Sequence, residues 1–213
     1  NGVIIQAEGS VKVGKSVIGN GTCIIAGGDV EARLVHNSRI VAQGNIQLNH
    51  SAVNARLSSG GTITVISGSG RAGSIVGGET FATKFVEAKN LGSPGMERTL
   101  VGCRPSPQDL AELESLRNSV KKKREIVARS MKWMGVNKFD KKQIDRALSI
   151  IPENQRETFA KALREGVKAA TELAELPNVI SRKEQDHLTT IRRGQIRASE
   201  AFFAEVVIEF DIR

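Results

Sequence analysis

The stretch "IIAGGDV", Ile24 to Val30, returns sixteen residues later as "IVAQGNI", Ile40 to Ile46. Both follow one pattern: a small residue, any residue, Gly, a polar residue, then a β-branched one. Working outward, the pattern recurs as "AEGSV" from Ala7, "SGGTI" from Ser59 and "VGGET" from Val76, with glycines at 9, 28, 44, 61 and 78. A near-constant period marks a repeat architecture. Helical repeats need roughly 33 residues or more and leucine-rich repeats roughly 20 to 29, so steps of 19, 16, 17 and 17 residues point to the turns of a β-helix. Each word would end one short strand, turn at the glycine and start the next strand at Val or Ile, with side chains alternating in and out. Rungs spaced about 4.8 Å apart would stack into a rod roughly 25 to 30 Å long, and only the stack can bury an apolar face.

Composition divides the chain. Residues 1–105 hold 18 of the 21 glycines, and residues 106–213 hold the other three but 38 charged side chains against 16 before them. The boundary falls at "CRPSPQDL", where Pro105 and Pro107 forbid a continuing strand ladder. Beyond Pro107 the apolar period lengthens to about 3.5: Leu113, Leu116, Val120, Val127 and Met134 form a seam that Lys123 and Ser130 interrupt. This predicts a helix of about 27 residues, roughly 40 Å long, ending near Gly135. Shorter helices are expected over 138–150 and 153–175, the second stopped by "LPN" at 176–178. A last helix is expected from Ser181 to Ala201, with Leu188, Ile191, Ala198 and Phe202 at heptad-like spacing. The simplest packing is an antiparallel coiled-coil hairpin with the short helices at its far end.

"AEVVIEFDI", Ala204 to Ile212, alternates Val206, Ile208, Phe210 and Ile212 against Val207, Glu209 and Asp211, the mark of a half-buried strand. The open last rung of a β-helix needs such a cover, and "RTLVGC", Arg98 to Cys103, is its expected neighbour. The organisation is therefore a β-helix over 1–105, a helical arm over 106–203 inserted in it, and a strand over 204–213 docking back.

These residues resemble the bacterial flagellar assembly protein A family. The likeness rests on "AGGDV", "VAQGNI", "NHSAV", "SGGTITV", "IVGGET" and "LGSPGMERTLVG", in the family's order, and covers most of residues 1–105. The resemblance implies a β-helix interrupted by a coiled-coil hairpin, a cytoplasmic location, and a role in assembling or positioning flagella through protein contacts at the flagellar or cell-pole machinery. Family members also carry a domain before the β-helix, so a chain opening at Asn1 reads as a fragment of a longer protein.

Catalysis has little to build on. β-Helix lyases and hydrolases gather two or three carboxylates on neighbouring rungs, whereas the polar column here reads Ser10, Asp29, Asn45, Thr62, Glu79. These types beside Gly are expected to cap their own turns. A carbohydrate-active enzyme, the rival reading, would need Glu8, Asp29, Glu31, Glu79, Glu87 and Glu97 to converge. His36 and His50 lie in polar corners without the spacing of a metal site, and His187, beside Asp186, is expected to be solvated. Neither "SGSGRAGSIVGG" (67–78) nor "VGKS" (13–16) has the form of a phosphate loop. No catalytic residue, metal or cofactor is assigned. Cys23 and Cys103 suit a reducing compartment, although spacing alone leaves a disulfide open, and no apolar run is long enough to span a membrane.

The net charge of +8 invites an anionic partner. The sharpest basic cluster is Lys121, Lys122, Lys123 and Arg124, with Lys141 and Lys142 beyond it. Helical aromatics are too few for a stacking platform, so nucleic acid is the less favoured partner and an acidic surface the alternative. Trp133, Met134 and Phe139, near the distal end of the arm, are the expected protein contact; the bland reading makes them the core of that end. A homo-oligomer is compatible with either.

Overall fold

A computed structural model describes residues 2–66, 73–95 and 98–210. Among these residues thirteen strands are hydrogen-bonded into one continuous sheet: β1 (Ile4–Ala7), β2 (Val11–Lys12), β3 (Ser16–Ile18), β4 (Cys23–Ala26), β5 (Val30–His36), β6 (Arg39–Ala42), β7 (Ile46–Ser59), β8 (Thr62–Val65), β9 (Ser74–Ala82), β10 (Phe85–Leu91), β11 (Thr99–Cys103), β12 (Gln195–Phe202) and β13 (Val206–Phe210). Every pairing is parallel. The register sorts them into three columns, as a solenoid requires. One runs Ile24, Ile40, Leu57, Thr80, Val101, Ile208 along its inward positions. The second runs Val30, Ile46, Ile63, Val86, Ile196. In the third, Val35, Ala52 and Ile75 lead to Leu91 and Phe202. From Ile24 to Leu91 these side chains, Thr80 among them, are nearly or wholly inaccessible, and the alternation read from the sequence is what turns them inward.

The glycine words make the corner between the first and second columns. Gly28 N–H donates to Gly9 C=O, Gly44 to Gly28 and Gly61 to Gly44, each at 3.1 Å, and Lys84 then donates to Gly61 at 3.0 Å. The fifth word therefore does not join the column. Gly78 pairs with Ala55 at a different corner, and Lys84 takes the expected place because β8 ends at Val65 and β9 starts only at Ser74, where β5 and β7 run on without a break, so the period is displaced by several residues. At Gly78 the need for glycine is double: φ is +73°, and a Cβ would stand 2.2 Å from the Ala55 carbonyl oxygen. Part of "SGSGRAGSIVGG", residues 67–72, lies outside the described residues.

Between β11 and β12 the chain makes three helices, α1 (Pro107–Met134), α2 (Lys141–Ile150) and α3 (Arg156–Arg192), with a single 3-10 turn at Glu153–Gln155. The helices are thus an insertion within one turn of the solenoid, at the corner the glycine words make elsewhere. Ser106 opens α1: its hydroxyl accepts from Asp109 N–H at 3.1 Å and donates to Asp109 Oδ2 at 2.6 Å. Gly135, with φ +66°, closes it, and Asp140 Oδ1 caps α2 through Gln143 N–H at 2.8 Å.

Two expectations fail here. Pro177 does not end a helix: it lies inside α3, whose 37 residues run through both segments expected to be separate. Proline's φ suits a helix, and what it removes is one N–H donor and one turn's clearance. The second failure is the helix expected to reach Ala201. It stops at Arg192, and 195–202 is strand β12, laid on β10 from Phe85↔Gln195 to Leu91↔Phe202. The edge of β10 offers a row of backbone groups that a helix would leave unpaired.

β13 lies beside β11, from Thr99↔Val206 to Cys103↔Phe210, as the sequence suggested; Asp211 and Ile212 fall outside the described residues. Ile208 and Phe210 keep the inward phase yet are about half exposed, 49% and 51%, because among the described residues β13 pairs with β11 alone. The cysteines are free and stand several turns apart in the first column, in β4 and β11. Burial pushes the Cys103 thiol up to about 11, against a smaller lowering by a backbone hydrogen bond at Gln195. By contacts the chain forms two compact units, Asn1–Ala111 with Glu184–Arg213, and Glu112–Lys183.

Candidate functional site

Within the helical unit, Lys183 pairs with Glu112 at 2.7 Å and Lys123 with Glu172. Partner numbers rise along α1 as they fall along α3, so the two helices run antiparallel. The hydrogen bond from Lys123 holds the Glu172 carboxyl below its usual range, with the lysine's charge acting in the same direction. Lys123 interrupts the apolar seam for this reason, and its ammonium is engaged. Lys121, Lys122, Arg124, Lys141 and Lys142 are exposed.

At the far end of α1, Met134, Val136 and Phe159 form a small core with Met131, Phe139, Ile144, Ala147, Ile151 and Leu163 packed on it. Met134 is buried and Phe139 half-buried, so these two hold the end together. Trp133 differs: it is 46% exposed, with its ring tilted 44° against Phe159 at 6.1 Å. Ile150 is 76% exposed beside a cavity of about 260 Å³ lined by Met134, Val136, Ala147 and Ile151. Of the three residues singled out in the sequence, Trp133 alone presents a large surface. Ile150 escaped notice because its helix reads as ordinary amphipathic sequence.

The polar column beside the glycines works differently from expectation. Ser10 Oγ accepts from Asp29 N–H at 3.0 Å, Asp29 Oδ1 from Asn45 N–H at 2.6 Å, and Asn45 Oδ1 from Thr62 N–H at 2.9 Å. Each side chain caps the turn after its own, so the column is a ladder tying rung to rung. Glu79 is not in it; Phe85 follows Thr62 in register.

The carboxylates do not converge. Glu31 pairs with Lys12 at 2.8 Å, Glu79 with Arg56 at 4.0 Å and Glu87 with Arg197 at 3.5 Å. Glu31 and Glu87 share a column but are separated by Gln47 and Thr64, roughly 14 Å at the rung spacing. Glu97 lies outside the described residues. Among those described, no three His, Cys, Asp or Glu side chains group as metal ligands would, and His50 Nδ1 stands 3.0 Å from Ser51 Oγ.

His187 corrects the sequence reading. It is 8% exposed, with Nε2 3.8 Å from Asp109 Oδ1, and so stands beside the cap that starts α1. α3 brings its buried face to the root of α1 there, and the neighbouring Asp186 gave no sign of it.

The solenoid also carries a groove that sequence reasoning missed, of about 690 Å³, along the corner between the third and first columns. Arg39, Arg56 and Arg98 line it, with Asn20, Asn37 and Asn54 at the turns. Its signal was present in the sequence as Asn-x-Arg at 37–39 and again at 54–56, one period apart.

Among the described residues no helix is long and apolar enough to cross a membrane. No curated protein and no solved structure matches the chain. A family model does, from residue 1 to residue 213, described as the Flagellar Assembly Protein A beta solenoid domain. With the parallel three-column solenoid and its helical insertion in place, the match over the whole sequence means that this chain belongs to the Flagellar Assembly Protein A family, which supports a role in flagellar assembly.

Proposed function

We propose that the chain is a non-catalytic scaffold of flagellar assembly or of flagellar positioning at the cell pole, acting in the cytoplasm through protein contacts. The solenoid is its rigid part, since its columns are filled by nearly inaccessible aliphatic side chains. The helical insertion presents the contact, at the end where Phe159 of the small core backs the exposed Trp133. The observation that carries this reading is Trp133, a large aromatic left half in solvent on a packed base; such residues dominate binding energy where partners meet. The scattered, paired carboxylates favour a scaffold over a carbohydrate-active enzyme. No feature of the basic residues favours nucleic acid, and a second copy of the chain is a further candidate partner.

The test is capture of partners from lysate of the native host, with and without nuclease, by the wild type and by Trp133→Ala plus Ile150→Ser. Flagellar or polar proteins that survive nuclease and are lost from the variant are the expected result. Partners that vanish with nuclease would make the positive charge the working feature and overturn the scaffold. Retention by the variant would move the contact away from this end.

A further inference from the structure

The groove on the solenoid has the charge and layout of an anion site. Register places Arg39 against Arg56 on adjacent turns and Arg56 against Glu79 on the next. Like charges directly opposite each other on neighbouring strands are unfavourable, and little here relieves them. The Arg56–Glu79 contact is 4.0 Å long, with side chains 72% and 46% exposed, so it is worth little. Among the described residues Arg39 and Arg98 make no ion pair. Three arginines therefore line one groove with, among the described residues, a single carboxylate, that of Glu79.

The backbone beneath them is specialised for the same corner. Asn37 and Asn54 have φ of +53° and +46°, a left-handed conformation uncommon for any residue but glycine. Each sits two positions before its arginine, so the repeated Asn-x-Arg turns the chain sharply and sets consecutive arginines on one line. In the following turn Gly77 leaves room for the Asn54 carboxamide: a Cβ there would stand 2.0 Å from Asn54 Oδ1. The two asparagines and the arginines together line the groove.

We propose that this groove binds a small diphosphate-bearing anion. Stacked arginines about 4.8 Å apart along the rungs suit two adjacent phosphoryl groups, each accepting two parallel hydrogen bonds from one guanidinium. Arg98, just before β11, contributes the third cation. The volume of about 690 Å³ falls in the range of small-ligand sites, roughly 300 to 1,000 Å³. Among the described residues no aromatic side chain lines the groove, so none of them is placed to stack on a base; recognition rests on the diphosphate alone. Free pyrophosphate and a nucleoside diphosphate share that chemistry and bind alike.

Titration calorimetry at fixed ionic strength tests this, with inorganic pyrophosphate, ADP and orthophosphate as probes. Pyrophosphate and ADP are expected to bind one per chain with similar affinity, and orthophosphate about tenfold or more weaker, since it engages one guanidinium rather than two. Arg39→Gln and Arg56→Gln, both on exposed side chains and so compatible with folding, each weaken pyrophosphate by about tenfold. Glu79→Gln, which removes the opposing charge, tightens it. Absence of saturable binding overturns the proposal. So does binding that ignores the arginine substitutions, which would place the anion on the lysines of the helices, or equal affinity for orthophosphate. ADP binding far tighter than pyrophosphate would reveal a base site and overturn recognition by the diphosphate alone.

Discussion

Thr80 stands in an inward column that otherwise reads Ile24, Ile40, Leu57 and Val101. It is 1% exposed and its hydroxyl finds no hydrogen-bond partner among the described residues. A buried unsatisfied polar atom costs about 1 to 3 kcal/mol, and valine has nearly the same shape without the hydroxyl. Thr80→Val is therefore expected to stabilise the solenoid by about 1 kcal/mol, read as a shift in the denaturant midpoint at constant m. A destabilised variant would show that the hydroxyl is partnered in solution. At this scale the sequence was most legible where one residue type has one physical use. Inward Val and Ile were readable from alternation, and Asp29 and Asn45 were readable as capping groups. Which amide they cap was not, because the partner lies a whole turn away along the chain. His187 was illegible for a related reason: its burial comes from α1, nearly eighty residues earlier.

Elements were legible where one period excluded the others. α1 shows this, with its Ser106 cap and Gly135 stop both written in the sequence. The stretch "QIRASEAF" shows the opposite, since Ile196 and Ala198 fit a strand's alternation while Ala198 and Phe202 fit a helix's four-residue step. The choice is made by β10, which offers backbone partners that no local signal announces. Pro177 misled in the other direction. A proline inside a helix costs about 3 kcal/mol relative to alanine, which is why it reads as a stop, yet α3 runs through it, with helix on either side of Pro177. Pro177 is exposed, so replacing it removes no packing. Pro177→Ala is expected to raise the stability of the helical unit by up to about 3 kcal/mol, seen as a higher melting temperature of the 222 nm helical signal. No change would mean that the helix has already relaxed around the missing donor.

For the molecule as a whole, the division into two compact units predicts that one survives without the other. The segment Glu112–Lys183 forms the helical unit, and its two ends are joined by the 2.7 Å ion pair between the first and last of these residues. Ala111 and Glu184 are therefore close enough to be linked by a short Gly-Asn loop. The excised chain keeps Ser106, Asp109, His187 and Ile191 at the root, and every strand pairing of the solenoid. Closing a short loop in place of a long insertion does not raise the entropic cost of folding. The expected result is a protein with strand-dominated circular dichroism, most of its 222 nm helical signal gone, and a single cooperative thermal transition. It should lose the partners captured through Trp133 and keep pyrophosphate binding at Arg39 and Arg56, which separates the two proposals in one variant. An excised chain without a cooperative transition would mean that the last turns depend on the helices for their order. The insertion would then be part of the solenoid's stability rather than a module carried by it.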